Sequence, residues 1–148
     1  MEKKDLIKLL DEIFVPHGFK RKGNNWVLNG DELSKLINLQ KSNYSNAFYI
    51  NYGYILRSVP LINERTHVEN RLASTNKEEQ KRITDLLDLE TQMPTDQRLA
   101  ELKKFITDKI AVQMQSVNTE ADLLNDLKKR PHLNDIPLIV KKHFSLAE

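Results

Sequence analysis

Two stretches of alternating apolar and polar residues mark the first half of the chain, Leu36 to Ser42 and Phe48 to Tyr54, joined by a polar, turn-rich segment. Period-two alternation predicts half-buried strands, and the connecting segment suits a hairpin loop. If Ile37, Leu39, Phe48 and Ile50 face a core, then Asn38, Gln40, Ser42, Tyr49 and Asn51 share the opposite face, because successive side chains along a strand point to opposite sides. That second face is filled by amides and hydroxyls, whereas a freely solvated strand face ordinarily carries Lys, Glu, Arg or Thr. A neutral hydrogen-bonding face is either covered by another element or arranged to bind something, which makes these five residues the candidate ligand-binding set.

The pattern before and after this pair differs. Leu6, Leu10 and Ile13, flanked by Ile7 and Phe14, recur at helical spacing, and Pro16 with Gly18 predicts an end near residues 15 to 17. Phe19 to Lys22 and Asn25 to Leu28 are short strand candidates broken at Gly23-Asn24. Asn29-Gly30 is a strong hairpin signal, since both residues tolerate the positive φ of a type I′ turn. Residues 61 to 75 give no clear period. Asn76 with Glu79 predicts a capped helix carrying Ile83, Leu86 and Leu87, and Thr95 a longer one carrying Leu99, Leu102, Ile106 and Ile110. Thr119 with Asp122 predicts a third, stopped by Pro131, and Asp135 with Pro137 a last one through Phe144.

All four glycines lie in the first 53 residues, whereas the chain beyond residue 75 is rich in Leu, Lys, Glu, Asp and Gln. Turn chemistry in one half and helix formers in the other predict an α+β fold. The expected architecture is one N-terminal helix, an antiparallel meander of three to four strands, then three to four helices packed on the sheet. At 148 residues with 39% hydrophobic content, a single domain over residues 1–148 is expected.

Charge and chemistry narrow the function classes. The 23 basic and 21 acidic side chains nearly balance, which argues against a dedicated duplex-binding surface. The absence of cysteine excludes disulfides and thiolate chemistry and fits a cytoplasmic location. No apolar run approaches the ~20 residues of a membrane span. The histidines have no metal-ligand spacing, and neither a G-x-S-x-G elbow nor a phosphate-cradling glycine loop is present, so no cofactor or metal is implied. A helix followed by a meander is also the core of magnesium-dependent restriction-type nucleases, but Gln40 is followed directly by Lys41 and the carboxylate cluster is missing.

Two basic groupings are the candidates for anionic ligands. Lys20, Arg21 and Lys22, with Lys41 and the nearby aromatics, could pair phosphates with stacked bases. His67 and Arg71 would share a face if HVENRL were helical, and could hold a phosphate or carboxylate. Asp85, Asp88 and Glu90 read as a solvated helix edge rather than a metal site.

Gly18-Phe19-Lys20 after an amphipathic helix, then Trp26, I-N-L-Q-K-S at 37 to 42, F-Y-I-N-Y-G at 48 to 53 and H-V-E-N-R-L at 67 to 72 resemble, in order and spacing, a bacterial family known as domain of unknown function 4304. The resemblance implies small bacterial proteins without an assigned activity and transfers no catalytic residue. It draws attention to Gln40, Lys41, Ser42, Asn51 and Gly53, the last because glycine in a strand allows close approach of another backbone or ligand. The leading expectation is a non-catalytic binding module whose polar sheet face meets a protein partner or a second copy. The alternative is a small enzyme or binder acting on a phosphorylated or nucleic-acid ligand through the basic groups.

Overall fold

The computed structural model describes residues 1–146. Helix α1, Lys3–Phe14, buries Leu6, Leu9, Leu10, Ile13 and Phe14 on one stripe, and its start is a capping box between Glu2 and Asp5. A 3-10 turn, Val15–His17, ends at Gly18, whose φ of 96° supplies the left-handed residue that stops the helix. Five strands follow in a single antiparallel sheet whose spatial order equals their sequence order: β1 Lys20–Lys22, β2 Asn25–Asn29, β3 Leu33–Lys41, β4 Phe48–Leu56 and β5 Val68–Arg71. The sequence pattern gave three to four strands; the fifth is β5.

Strand β5 corrects the helical reading of HVENRL. Val68 pairs with Tyr54 and Arg71 with Asn51, so this segment alternates across a sheet edge instead of winding. The hairpin at Asn29-Gly30 is present, but its turn is not the type I′ form. Asn29 pairs with Ser34 and Gly30 N–H donates to the Leu33 carbonyl, leaving residues 30–32 between strands β2 and β3. Gly30 is not at positive φ; the positive-φ glycines are Gly18 and Gly23. Gly23, at φ 62°, opens the tight β1–β2 turn, where Lys22 pairs with Asn25 across two residues.

The helices come after the sheet. Helix α2, Lys77–Leu87, is capped by the Asn76 side chain accepting from Glu79 N–H. Helix α3, Thr95–Ile106, runs through a five-residue π-helical turn, Thr107–Ala111, into the short α4, Val112–Gln115. Thr95 is the first helical residue of α3 rather than its cap. Helix α5, Glu120–Lys128, starts at the expected Thr119–Asp122 capping box, and α6, Leu138–His143, begins after Pro137. Among the described residues no helix is long and apolar enough to cross a membrane.

One core joins these elements. Trp26, Ile37 and Ile50 from the sheet are fully buried with Leu86, Leu102, Ile106, Leu123 and Val140 from the helices. Each such side chain contributes about 1.5–3 kcal/mol by leaving water. All of these sheet residues lie on the face that carries Ile37 and Leu39, so the helices pack on that face. Trp26 Nε1 donates to Asp11 of α1 at 2.8 Å, and Arg130, beyond α5, donates to Asn70 of β5 at 2.5 Å.

A buried arginine ties α2 to α3. Arg98 is 2% exposed, and its guanidinium donates to the carbonyls of Asp85, Leu86, Asp88 and Thr91. These carbonyls belong to the last turn of α2 and the loop that follows it, so the cation closes that end in place of a glycine cap.

Candidate functional site: the polar face of the sheet

Register determines what the polar face contains. Lys22 pairs with Asn25, Asn25 with Asn38, Asn38 with Asn51 and Asn51 with Arg71, so one residue from each of the five strands forms a row across the sheet. Cross-strand partners share a face, and this is the face opposite Ile37 and Leu39. Gln40 pairs with Tyr49 in the next row.

The side chains form a directed chain of hydrogen bonds. Arg71 Nε donates to Asn51 Oδ1 at 3.0 Å; Asn51 Nδ2 donates to Asn38 Oδ1 at 3.1 Å and to Gln40 Oε1 at 2.9 Å; Asn38 Nδ2 donates to Asn25 Oδ1 at 2.8 Å. Arg71 Nη2 also donates to Gln40 Oε1 at 3.1 Å, and its guanidinium lies 4.1 Å from the centre of the Tyr49 ring. A guanidinium has no acceptor, so Arg71 obliges Asn51 to turn its oxygen toward β5. Asn51 must then donate toward β3, and Asn38 toward β2. One cation at the edge strand thus sets the orientation of three amides.

Burial separates these residues into two roles. Asn51 is 2% and Asn38 9% exposed, and both are occupied by neighbours. Arg71 and Lys22 are exposed, and Asn25, Gln40 and Tyr49 are half-buried. The expected set of Asn38, Gln40, Ser42, Tyr49 and Asn51 is therefore a surface made of Gln40 and Tyr49, with Asn38 and Asn51 beneath it. Ser42 falls outside β3; its hydroxyl accepts from Tyr44 N–H at 3.2 Å and shapes the β3–β4 loop. Arg71 and Asn25 belong to the row but were not in that set, because only the pairing register shows that they complete it.

Gly53, on the same face, does admit another backbone, and it is the protein's own. A Cβ there would stand 2.2 Å from the Val68 carbonyl oxygen and 2.9 Å from Thr66 Oγ1. Thr66 Oγ1 is buried and has no hydrogen-bond partner among the described residues.

The basic groups do not converge. Lys20 and Lys22 are exposed on β1, Arg21 turns to the other face and approaches Asp11 at 3.3 Å, and Lys41 Nζ donates to the Ser45 carbonyl at 2.9 Å. His67 is 2% exposed and fully engaged. Its Nδ1 accepts from Leu56 N–H at 2.9 Å and its Nε2 lies 3.1 Å from the Pro60 carbonyl, which requires the Nε2–H tautomer. His67 pins the loop between β4 and β5, and it shares no anion site with Arg71. Among the described residues no group of three or more His, Asp or Glu side chains could hold a metal, and Asp85 pairs instead with Lys81 at 3.8 Å.

The class of protein is therefore an α+β domain built on a five-stranded meander, covered by helices on one face and carrying a directed amide row on the other. More particularly, the chain belongs to the family described as Domain of unknown function (DUF4304), whose family model matches residues 10–117. The match begins within α1 and takes in the whole sheet and the helices α2 to α4; α5 and α6 lie beyond it. No curated protein and no solved structure matches the chain.

Proposed function

We propose that the protein is a non-catalytic binding module whose polar sheet face meets another protein. The observation that supports this is the Arg71–Tyr49 pair, displayed at the surface and held in place by buried amides. Arg and Tyr are the residue types that most often anchor protein interfaces, and an anchor fixed before binding loses less entropy on docking. The exposed Tyr44 lies in the loop that continues this end of the sheet.

The direction of the amide chain defines the partner's chemistry. Beside the Tyr49 hydroxyl, which can donate or accept, the groups left at the surface are donors: the remaining guanidinium N–H bonds of Arg71, the Asn25 amide N–H2 and the Lys22 ammonium. A complementary partner brings carboxylates and carbonyls. Pairing along the sheet edges is disfavoured, since β1 has three residues, all basic, and β5 has four. A cysteine-free chain fits action in the cytoplasm.

The test is retention of partners from the native host by immobilised wild type and by the Lys22→Glu, Arg71→Glu double variant, followed by a binary titration of the retained protein. The proposal expects an acidic partner bound by wild type and weakened about tenfold or more by the charge reversal. A doubled mass in solution for the protein alone would assign the face to self-association. Equal binding by both proteins would remove the face from the interaction.

A further inference from the structure

On the helix-covered face of the sheet a buried lysine interrupts the apolar residues. Lys35, on β3 between Leu28 and Tyr54, is 7% exposed. Its ammonium donates to the Met114 carbonyl and, at 2.8 Å, to Asn118 Oδ1. Both acceptors are neutral, and an ammonium carries three protons, so one donor remains. The acidic group that acts on it, Asp122, makes no hydrogen bond to it: the Asp122 Oδ2 accepts from the backbone N–H of Asn118 at 3.0 Å and of Thr119 at 3.1 Å. A buried cation without a carboxylate is costly, and burial holds the Lys35 pKa below its ordinary value despite Asp122.

Lys35 lines a cavity of about 240 Å³. Phe14, Phe19, Leu28, Ala111 and Met114 form apolar walls, and the exposed His17, Gln115 and Asn118 mark its mouth. Ala111 closes the π-helical turn, a distortion that recurs beside binding sites because it redirects side chains within a helix. An apolar chamber with one charged group is the usual construction of a small-ligand site, although this one is smaller than the roughly 300–1,000 Å³ of drug-sized sites.

We infer that this cavity binds a small monocarboxylic acid, with the carboxylate on the free donor of the Lys35 ammonium and the hydrocarbon body among Phe14, Phe19, Leu28 and Met114. The site lies on the face opposite the amide row and is independent of the partner proposed for that row. A linear acid fits better than a phosphate ester because no second lysine and no arginine lines the cavity, and a dianion needs more than one donor group.

Octanoate is a suitable probe, with 1-octanol as the neutral equivalent, observed through the methyl resonances of 13C-labelled methionines. Met114 lines the cavity, whereas Met1 and Met93 do not and serve as internal references. Octanoate is expected to shift Met114 saturably and to bind about tenfold or more tightly than octanol, the contribution of a charge-assisted hydrogen bond. Lys35→Met is expected to abolish the difference between the two probes. No Met114 shift with millimolar octanoate, or equal affinity for acid and alcohol in the wild type, would overturn the inference; the wild-type comparison holds even if the variant does not fold.

Discussion

On the helix-covered face of the sheet, Ile37, Leu39 and Ile50 are buried among hydrophobic neighbours from the helices, whereas one residue away along the same strands Asn38, Gln40 and Asn51 bond to strand side chains. The first face is held by area: each side chain gains by leaving water, whatever its partners' orientation. The second is held by direction, since each amide is satisfied only if its neighbour points the right way, and Arg71 sets that direction. A face held by area yields gradually to substitution. A face held by direction fails at specific members and tolerates the loss of others at its surface.

Deleting a member of the first face should have the largest effect. Trp26→Ala removes the fully buried indole and its bond to Asp11, and is expected to cost about 3–5 kcal/mol in guanidinium unfolding. A loss under 1 kcal/mol would mean that the helices do not depend on this face. Gly53→Ala comes next, at about 1–3 kcal/mol by overpacking, because the Val68 carbonyl belongs to a paired strand and can retreat only by opening β5. An unchanged unfolding midpoint would show that β5 is loosely held.

Asn51→Ala tests direction rather than area. It removes the donor to Asn38 and Gln40 and the acceptor for Arg71, and an expected cost of about 1–3 kcal/mol follows from the buried Asn38 oxygen left without its bond. Asn51→Asp sharpens the point. The carboxylate still accepts from Arg71 but cannot donate, so it should be no better than alanine despite the added ion pair. If it restores full stability, the directed chain is wrong.

The smallest effect concerns pH and lies outside both faces. Backbone N–H groups of Asn118 and Thr119 hold the Asp122 pKa below its usual value, and Lys109 and Arg82 do the same for Glu79 and Glu101. A carboxylate depressed in the folded state binds protons more readily when unfolded. Its contribution is full above the ordinary value near 4 and is lost as pH falls through the folded value. The urea midpoint should therefore be flat near neutrality and fall below pH 4, with Asp122→Ala flattening that fall. A midpoint independent of pH down to 2 would contradict it.

Much of the two-face arrangement was legible in the sequence, because alternation within β3 and β4 separates the apolar from the polar set without reference to anything distant. The Thr119 and Asn76 caps were legible for a similar reason: their partners are three residues away. What escaped depended on distant contacts. Strand β5 has one apolar residue, Val68, within four and exists because β4 offers it an edge. Lys35 and Arg98 are charged residue types that usually mark solvent, and their burial depends on carbonyls more than five residues away, at Met114 and at residues 85–91. The amides of Asn38 and Asn51 were visible, but that they bond to each other, with Arg71 at the head, needed the register.

The most direct test of the central claim is to measure stability and partner binding together in the Tyr49→Ala, Arg71→Ala double variant. Arg71→Ala takes the Nε donor from the buried Asn51 oxygen, so the account predicts a stability loss of about 1–3 kcal/mol, smaller than that of Trp26→Ala, with partner affinity reduced about tenfold or more. Partner affinity unchanged in a stably folded variant would contradict it, as would a loss of stability as large as that of Trp26→Ala.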